Sequence, residues 1–372
     1  HFNNNEVVRL DGASLIKSTD IGSLPFEGDF PRFNNSANTY APGSDNFLFF
    51  QETVVQSFID KLKAGVDVPT YPQFRDMCKM LLDNLDGIVK IEDGYAATGK
   101  LNPKFKGIPE VSAINANEKT ICESIGRKYM QRVCITGPYT LLSQIIQPSL
   151  DELSKLTDAL KEVVRGCIHQ SKLSNVELIV IEEPILGIVD DSRLDYLSRW
   201  REDILKSWDT LFHIPKTKGI KCGLHLHSTT NKIFWDSQYL DIIETEVDDP
   251  LFTSDETLTL LNKHDKFLKA SICKTNVNLL VKNLAQKTDE YVKLSESERL
   301  GQIWIDLKKG RIDPTKIIES PELMNQRLRN AVDRFGEERI IYAGPECGLK
   351  GMPNYKSAIA CLERSSKVVT DL

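Results

Sequence analysis

No stretch of this 372-residue chain approaches the ~20 consecutive apolar residues of a membrane-spanning helix. The longest apolar runs, such as the one around Leu178 to Ile181, have the length of a strand. The first residues, His1 to Glu6, are polar and Asn-rich and carry no signal-peptide pattern. Cysteine is scarce and scattered: eight thiols, at 78, 122, 134, 167, 222, 273, 347 and 361, with no Cys-x-x-Cys among them. That spacing excludes a disulfide framework and predicts individual reduced thiols in a cytoplasmic chain. Basic residues number 47 against 53 acidic ones, for a net charge of −6, and no Lys/Arg run exceeds two. A nucleic-acid binder would need a basic stripe that is missing here. Low-complexity segments and internal repeats are absent beyond the Asn-rich start. No GxGxxG or GxxxxGK[ST] follows the first apolar run, which argues against dinucleotide-binding and P-loop folds.

What the chain does have is alternation of short apolar runs with amphipathic stretches. The runs fall at Ile21 to Leu24, Gly65 to Pro69, Val133 to Gly137, Glu177 to Ile181, Ile220 to His227, Leu240 to Val247, Phe267 to Cys273 and Arg339 to Ala343. Most are rich in β-branched residues and do not alternate, the pattern of strands buried on both faces. Helical periodicity marks Phe47 to Lys63, Leu150 to Leu173, Leu194 to Leu211, Asp255 to Asn262 and Met324 to Phe335. Eight repeats of strand and helix predict a (β/α)8 TIM barrel, a single α/β domain over 1–372. Two connections are long for barrel loops. Asp83 to Arg132, after strand 2, carries a hairpin-like piece around Asp93-Gly94-Tyr95; Asn276 to Glu338, after strand 7, is read as an insertion over 276–338.

Barrel chemistry gathers at the C-terminal strand ends. There the chain offers Thr19-Asp20-Ile21-Gly22-Ser23, Thr136-Gly137-Pro138, Glu182-Glu183-Pro184, His225-Leu226-His227, Glu244 with Glu246, and Pro345-Glu346-Cys347-Gly348. His225 and His227, two of only six histidines, are spaced to share one strand face and so one metal ion. Glu246 and Cys347 complete a set of two imidazoles, a carboxylate and a thiolate that suits zinc. Glu244 competes with Glu246, and Cys222 competes as sulfur ligand from the opposite strand face.

These fragments resemble the C-terminal catalytic barrel of cobalamin-independent methionine synthase, and more closely its short archaeal single-barrel relatives. Ile21-Gly22-Ser23-Leu24-Pro25 resembles the family's IGS(F/Y)P. Gly65-Val66-Asp67 with Gln73-Phe74-Arg75-Asp76-Met77 resembles its second-strand segment. Thr136-Gly137-Pro138 resembles TGP, Glu182-Glu183-Pro184 resembles DEP, and Pro345-Glu346-Cys347-Gly348-Leu349-Lys350 resembles PDCGLK. The resemblance extends to the last helix, Met352 to Val369, and implies a cytoplasmic zinc methyltransferase of methionine biosynthesis. It would hold zinc through His225, His227, Glu246 and Cys347, with His227 standing where the family has Cys. It would bind a thiol such as homocysteine at Ile21, Gly22, Ser23 and Glu182, the last replacing an Asp. The second-strand segment around Tyr71 lacks the family's acidic residue, and Arg75 there suits either a substrate anion or a structural ion pair. The implied donor is a methyl-corrinoid, carried by a partner protein, or a methylated folate or pterin. Alternatives are a uroporphyrinogen decarboxylase-like barrel, a zinc hydrolase, and a non-catalytic scaffold barrel.

Overall fold

Apolar runs without alternation become strands covered on both sides. The structure is a computed structural model and describes residues 15–286 and 294–372. Seven parallel strands form one sheet: β1 (Lys17–Ser18), β4 (Tyr129–Thr136), β5 (Ser174–Glu182), β6 (Lys221–His225), β7 (Ile242–Glu244), β8 (Phe267–Cys273) and β9 (Ile340–Pro345). Their order is β1-β9-β8-β7-β6-β5-β4. The segment around Val68 and Thr70 joins the two edges through parallel bridges Thr19↔Val68 and Thr70↔Arg132. Eight parallel segments thus close a TIM barrel.

Alternation along each strand separates two cores. Val68, Cys134, Leu178, Val180, Ile242 and Tyr342 pack together inside the barrel. Their sequence neighbours Val133, Ile135, Ile179, Ile181, Ile243 and Ala343 belong to the larger core under the helices. By the same parity Arg132, Glu182, His225 and Glu244 face the barrel interior, and strand register sets Glu182, His225 and Glu244 side by side.

The helix Leu150–Cys167 starts at a capping box of Ser149 and Glu152 and buries Leu153, Leu156, Leu160, Val163 and Val164. It stops six residues before the expected Leu173, because Ser171 Oγ accepts from the Leu173 and Ser174 amides and turns the chain into β5. The helix expected over Leu194 to Leu211 spans Arg199–Thr217, capped by Ser198. The apolar run Ile21 to Leu24 is not a strand. The first strand is the polar-looking Lys17–Ser18, and the run lies beyond its end. Gly22 takes φ +129° there, and a Cβ would meet Thr70 Cγ2 at 2.8 Å, so the chain leaves the extended path where it crosses the neighbouring segment.

The long connection after the second barrel segment holds the expected hairpin, β2 (Leu85–Ile91) paired antiparallel to β3 (Gly94–Pro103). Inside the 276–338 connection lie helices Val277–Gln286 and Glu296–Lys308, the turn Pro314–Ile317 and helix Pro321–Phe335. The last packs on β8 and serves as the crossover to β9, so the added structure precedes it. Residues His1 to Glu6 lie outside the described residues.

Arg75 is claimed by the fold. Its guanidinium makes two 2.7 Å bonds to Glu110, with both side chains buried, and a third to Asn38. Breaking a buried pair strands a charge at a cost of about 3–5 kcal/mol. Arg75→Met is therefore expected to lower stability by about that much in urea denaturation, while leaving metal affinity unchanged. A change confined to ligand binding would refute the structural assignment.

Candidate metal centre

Three metal-competent atoms converge at the C-terminal mouth of the barrel. One ligand atom from each of His225, His227 and Cys347 lies within 4.8 Å of the others, forming the one such group of three among the described residues. His225 ends β6 and is 2% exposed, and neither ring nitrogen has a hydrogen-bond partner. His227 follows two residues on, its ring 5.5 Å from that of His225 and nearly perpendicular to it. Cys347 Sγ lies 3.4 Å from His227 Nε2.

The loop that presents Cys347 is held from three sides. The Glu346 amide donates to the Cys273 carbonyl, and its carboxylate accepts from the Val247 and Thr275 amides at 2.9 Å. The Leu349 amide donates to the Ser23 carbonyl. A Cβ on Gly348 would fall 1.8 Å from Ser23 Oγ, so this close approach requires glycine. The Ile21-Gly22-Ser23 backbone and Cys347 are thereby brought together.

The two candidate carboxylates differ in setting. Glu246 is 47% exposed in its side chain, with Oε1 3.9 Å from His227 Nδ1, and it stands outside the tight group of three. Burial and the neighbouring Glu346 and Asp249 raise its pKa. Glu244 is fully buried with both oxygens on Arg132, and its Oε2 lies 3.6 Å from His225 Nδ1. Against the burial that raises it, the Arg132 guanidinium holds this carboxyl down at about 2. Cys222 points away, toward the Phe212 carbonyl, and is removed from the ligand set.

Burial governs the other titrations. It lowers His227 to about 4, helped by the neighbouring His225, and pushes the Cys347 thiol up to about 11. Glu182 lies buried beside Gln73 and Cys134 with Oε2 unpartnered, and burial raises its carboxyl to about 7. Glu183 points the other way. It accepts from the Tyr139 and Thr140 amides, the Thr140 hydroxyl and the Trp208 indole, and so anchors the helix Pro138–Leu142. Tyr71 is buried and donates to the Cys134 carbonyl at 2.9 Å. Lys269 Nζ donates to the Pro345 carbonyl under the Cys347 loop, and burial lowers it to about 8.

Sequence reasoning missed Arg132, Lys269 and the bracing role of Glu346. By sequence Arg132 closes the long connection before the third strand, whereas the structure places it within β4. The period of two shared by Arg132, Cys134 and Thr136 is the signal that marks its inward face.

No family model matches the chain. Proteins named methionine synthase from Saccharolobus islandicus and Saccharolobus solfataricus are 23% and 21% identical to it over 96% of both chains. Among solved structures, a B12-independent methionine synthase from Shewanella sp. W3-18-1 aligns with TM-score 0.58 at 13% identity, covering 96% of this chain and 98% of its own. A Listeria monocytogenes protein described as a vitamin-B12 independent methionine synthase aligns with TM-score 0.59 at 13% identity, covering 97% and 99%. No helix among the described residues is long and apolar enough to cross a membrane. Over nearly its whole length the chain is similar in sequence to proteins named methionine synthase, and it shares the barrel fold of these two solved structures.

Proposed function

We propose that this protein transfers a methyl group to a thiol such as homocysteine at a zinc site formed by His225, His227, Cys347 and Glu246. The observation that carries the reading is the meeting of two imidazoles and a thiol at the barrel mouth, with both nitrogens of the buried His225 left without partners. Buried polar atoms are ordinarily satisfied, so such a group points to a missing partner. The donor set of nitrogen, sulfur and carboxylate oxygen suits zinc. Glu246 is in reach of His227 and carries no competing ion pair with a buried cation, whereas Glu244 is committed to Arg132.

Zinc bound there would keep an acceptor thiol deprotonated near neutral pH, where a free thiol with a pKa of ~8.5 is mostly protonated. The residues of this chain do the rest. Burial raises the Cys347 thiol, and metal held there would take it as the thiolate. The Ile21 to Ser23 backbone and Glu182 grip the far end of the acceptor. The Tyr71 hydroxyl is spent on Cys134, so Glu182 is the acid offered to an acceptor ammonium. Holding thiolate and methyl donor in line supplies much of the rate. The relatives' names lend no support to a corrinoid partner, so a methylated folate or pterin is the donor to offer first, with methylcobalamin beside it.

Metal content of protein purified without an affinity tag is the first test, expected near one zinc per chain. The loaded protein is then given homocysteine and each donor, with methionine formation expected. Metal content near zero after zinc is offered would remove the ligand set. Zinc with amide or ester hydrolysis and no methyl transfer would favour the hydrolase.

A further inference from the structure

The Ile21-Gly22-Ser23 segment is an irregular turn whose three carbonyls are all engaged. The Cys134 thiol donates to the Ile21 carbonyl at 3.2 Å, and the Leu349 amide donates to that of Ser23 at 2.9 Å. The Gly22 carbonyl accepts twice, from the Gln73 amide at 3.1 Å and from Lys61 Nζ at 3.0 Å. Lys61 lies on the helix Asp45–Lys63 with no exposed side-chain surface. Its other ammonium protons go to Asp20 Oδ2 at 2.7 Å and the Thr70 carbonyl at 2.9 Å, so its full donor capacity is used. Asp20 in turn accepts from the Thr70 amide at 2.8 Å. A buried charge pair adds little stability over apolar packing, and the same helix already buries Phe47, Phe50, Val54, Phe58 and Leu62. What the ammonium does that an apolar side chain could not is fix a buried carbonyl in a turn where Gly22 takes φ +129°.

We propose that Lys61, anchored by Asp20, is a positioning residue that locks the Ile21-to-Ser23 turn in its acceptor-binding shape before an acceptor arrives. This rests on the acceptor reading above. With its carbonyls taken, the turn's backbone has its amides to offer, and these suit the anionic end of an amino-acid thiol. A turn held in advance spares the acceptor the cost of ordering it. Lys61 acts through Gly22 and not by contact with the acceptor.

The test compares zinc-loaded wild type, Asp20→Asn and the double variant Lys61→Met/Asp20→Asn. Each is given homocysteine and, separately, 2-mercaptoethanol, a thiol without carboxylate or ammonium. The double variant leaves no buried charge unpaired, and the step to it from Asp20→Asn isolates the Lys61 bond. Over that step the KM for homocysteine is expected to rise ~10–100-fold, the range for a lost hydrogen bond to a charged group. Zinc affinity and kcat should stay within about twofold, and kcat/KM for 2-mercaptoethanol should not change. A KM change within twofold, an equal loss with both thiols, or a parallel loss of zinc affinity overturns the positioning role. One measurement needs no variant to fold. In acceptor-free wild type, ¹⁵N relaxation should give Gly22 and Ser23 the order parameter of rigid backbone, about 0.85. Values below about 0.6 would show a turn that the acceptor itself must order, and refute the proposal. Wild type that methylates no thiol removes the acceptor reading and this inference together; turnover by wild type with an unaffected double variant removes only the inference.

Discussion

Cys347→Ser is expected to cost at least ~10²-fold in zinc affinity, more than an outer-shell change typically costs, and to reduce methyl transfer in step. Serine keeps the shape of cysteine but not its soft, ionisable sulfur, so the ion keeps two imidazoles and a carboxylate and loses its charge-donating ligand. The loop itself should survive. Glu346 holds it to the Val247 and Thr275 amides, and Leu349 holds it to Ser23, none of which involves the thiol. Thermal unfolding of the metal-free variant should therefore match that of metal-free wild type. Parallel loss of metal and activity with an intact fold supports the ligand assignment. Full activity in the Ser variant would falsify it and would reopen the hydrolase reading, which needs no sulfur at this position.

Glu182→Gln is expected to stabilise the protein at alkaline pH while it impairs acceptor binding. Burial raises the Glu182 carboxyl from 4.5 to about 7. Between those values the unfolded chain has released this proton and the folded protein has kept it. Folding stability therefore falls as pH rises from about 4.5 to about 7 and levels off above that. A shift of that size corresponds to about 3 kcal/mol lost by pH 8. Glutamine carries no titrating proton, so the variant should exceed wild type by up to about 3 kcal/mol at pH 8 and match it near pH 4.5. Urea midpoints at the two pH values measure the difference. In the same variant the KM for an ammonium-bearing thiol should rise sharply, since Oε2, the buried oxygen without a partner, no longer carries charge. Curves that stay parallel across this range would show that the carboxyl is not strained by burial. Stabilisation with unchanged KM would place the acceptor elsewhere.

These expectations trade stability for function at one position, which is how an unsatisfied buried carboxyl at a barrel mouth is best understood. Arg75 shows the opposite case. As a lone sequence feature it suited a substrate anion as well as a structural partner, and the geometry with Glu110 assigns it to the fold.

Much of this was legible in the chain order of residues. Short β-branched apolar runs without alternation, such as 178–181, fit strands covered on both faces. Repetition of that pattern with helices between implies the barrel, and the barrel implies that chemistry lies at strand ends. His225 and His227 were visible through their spacing alone, and the hairpin after Asp83 through its turn residues. Other features depend on contacts between distant strands, which no local pattern encodes. Arg132 and Glu244 are 112 positions apart and become partners only because β4 and β7 face each other across the closed ring. The close approach of Gly348 to Ser23 arises where the first and last strand ends meet, and it decides where the Cys347 sulfur lies. The polar segment Lys17–Ser18 is a strand because β9 and Val68 supply its partners, not because of its own composition. Local sequence determined which elements form and which residue types stand at their ends. Ring closure decided which of those residues meet, because burial and pairing of charges are properties of the whole barrel.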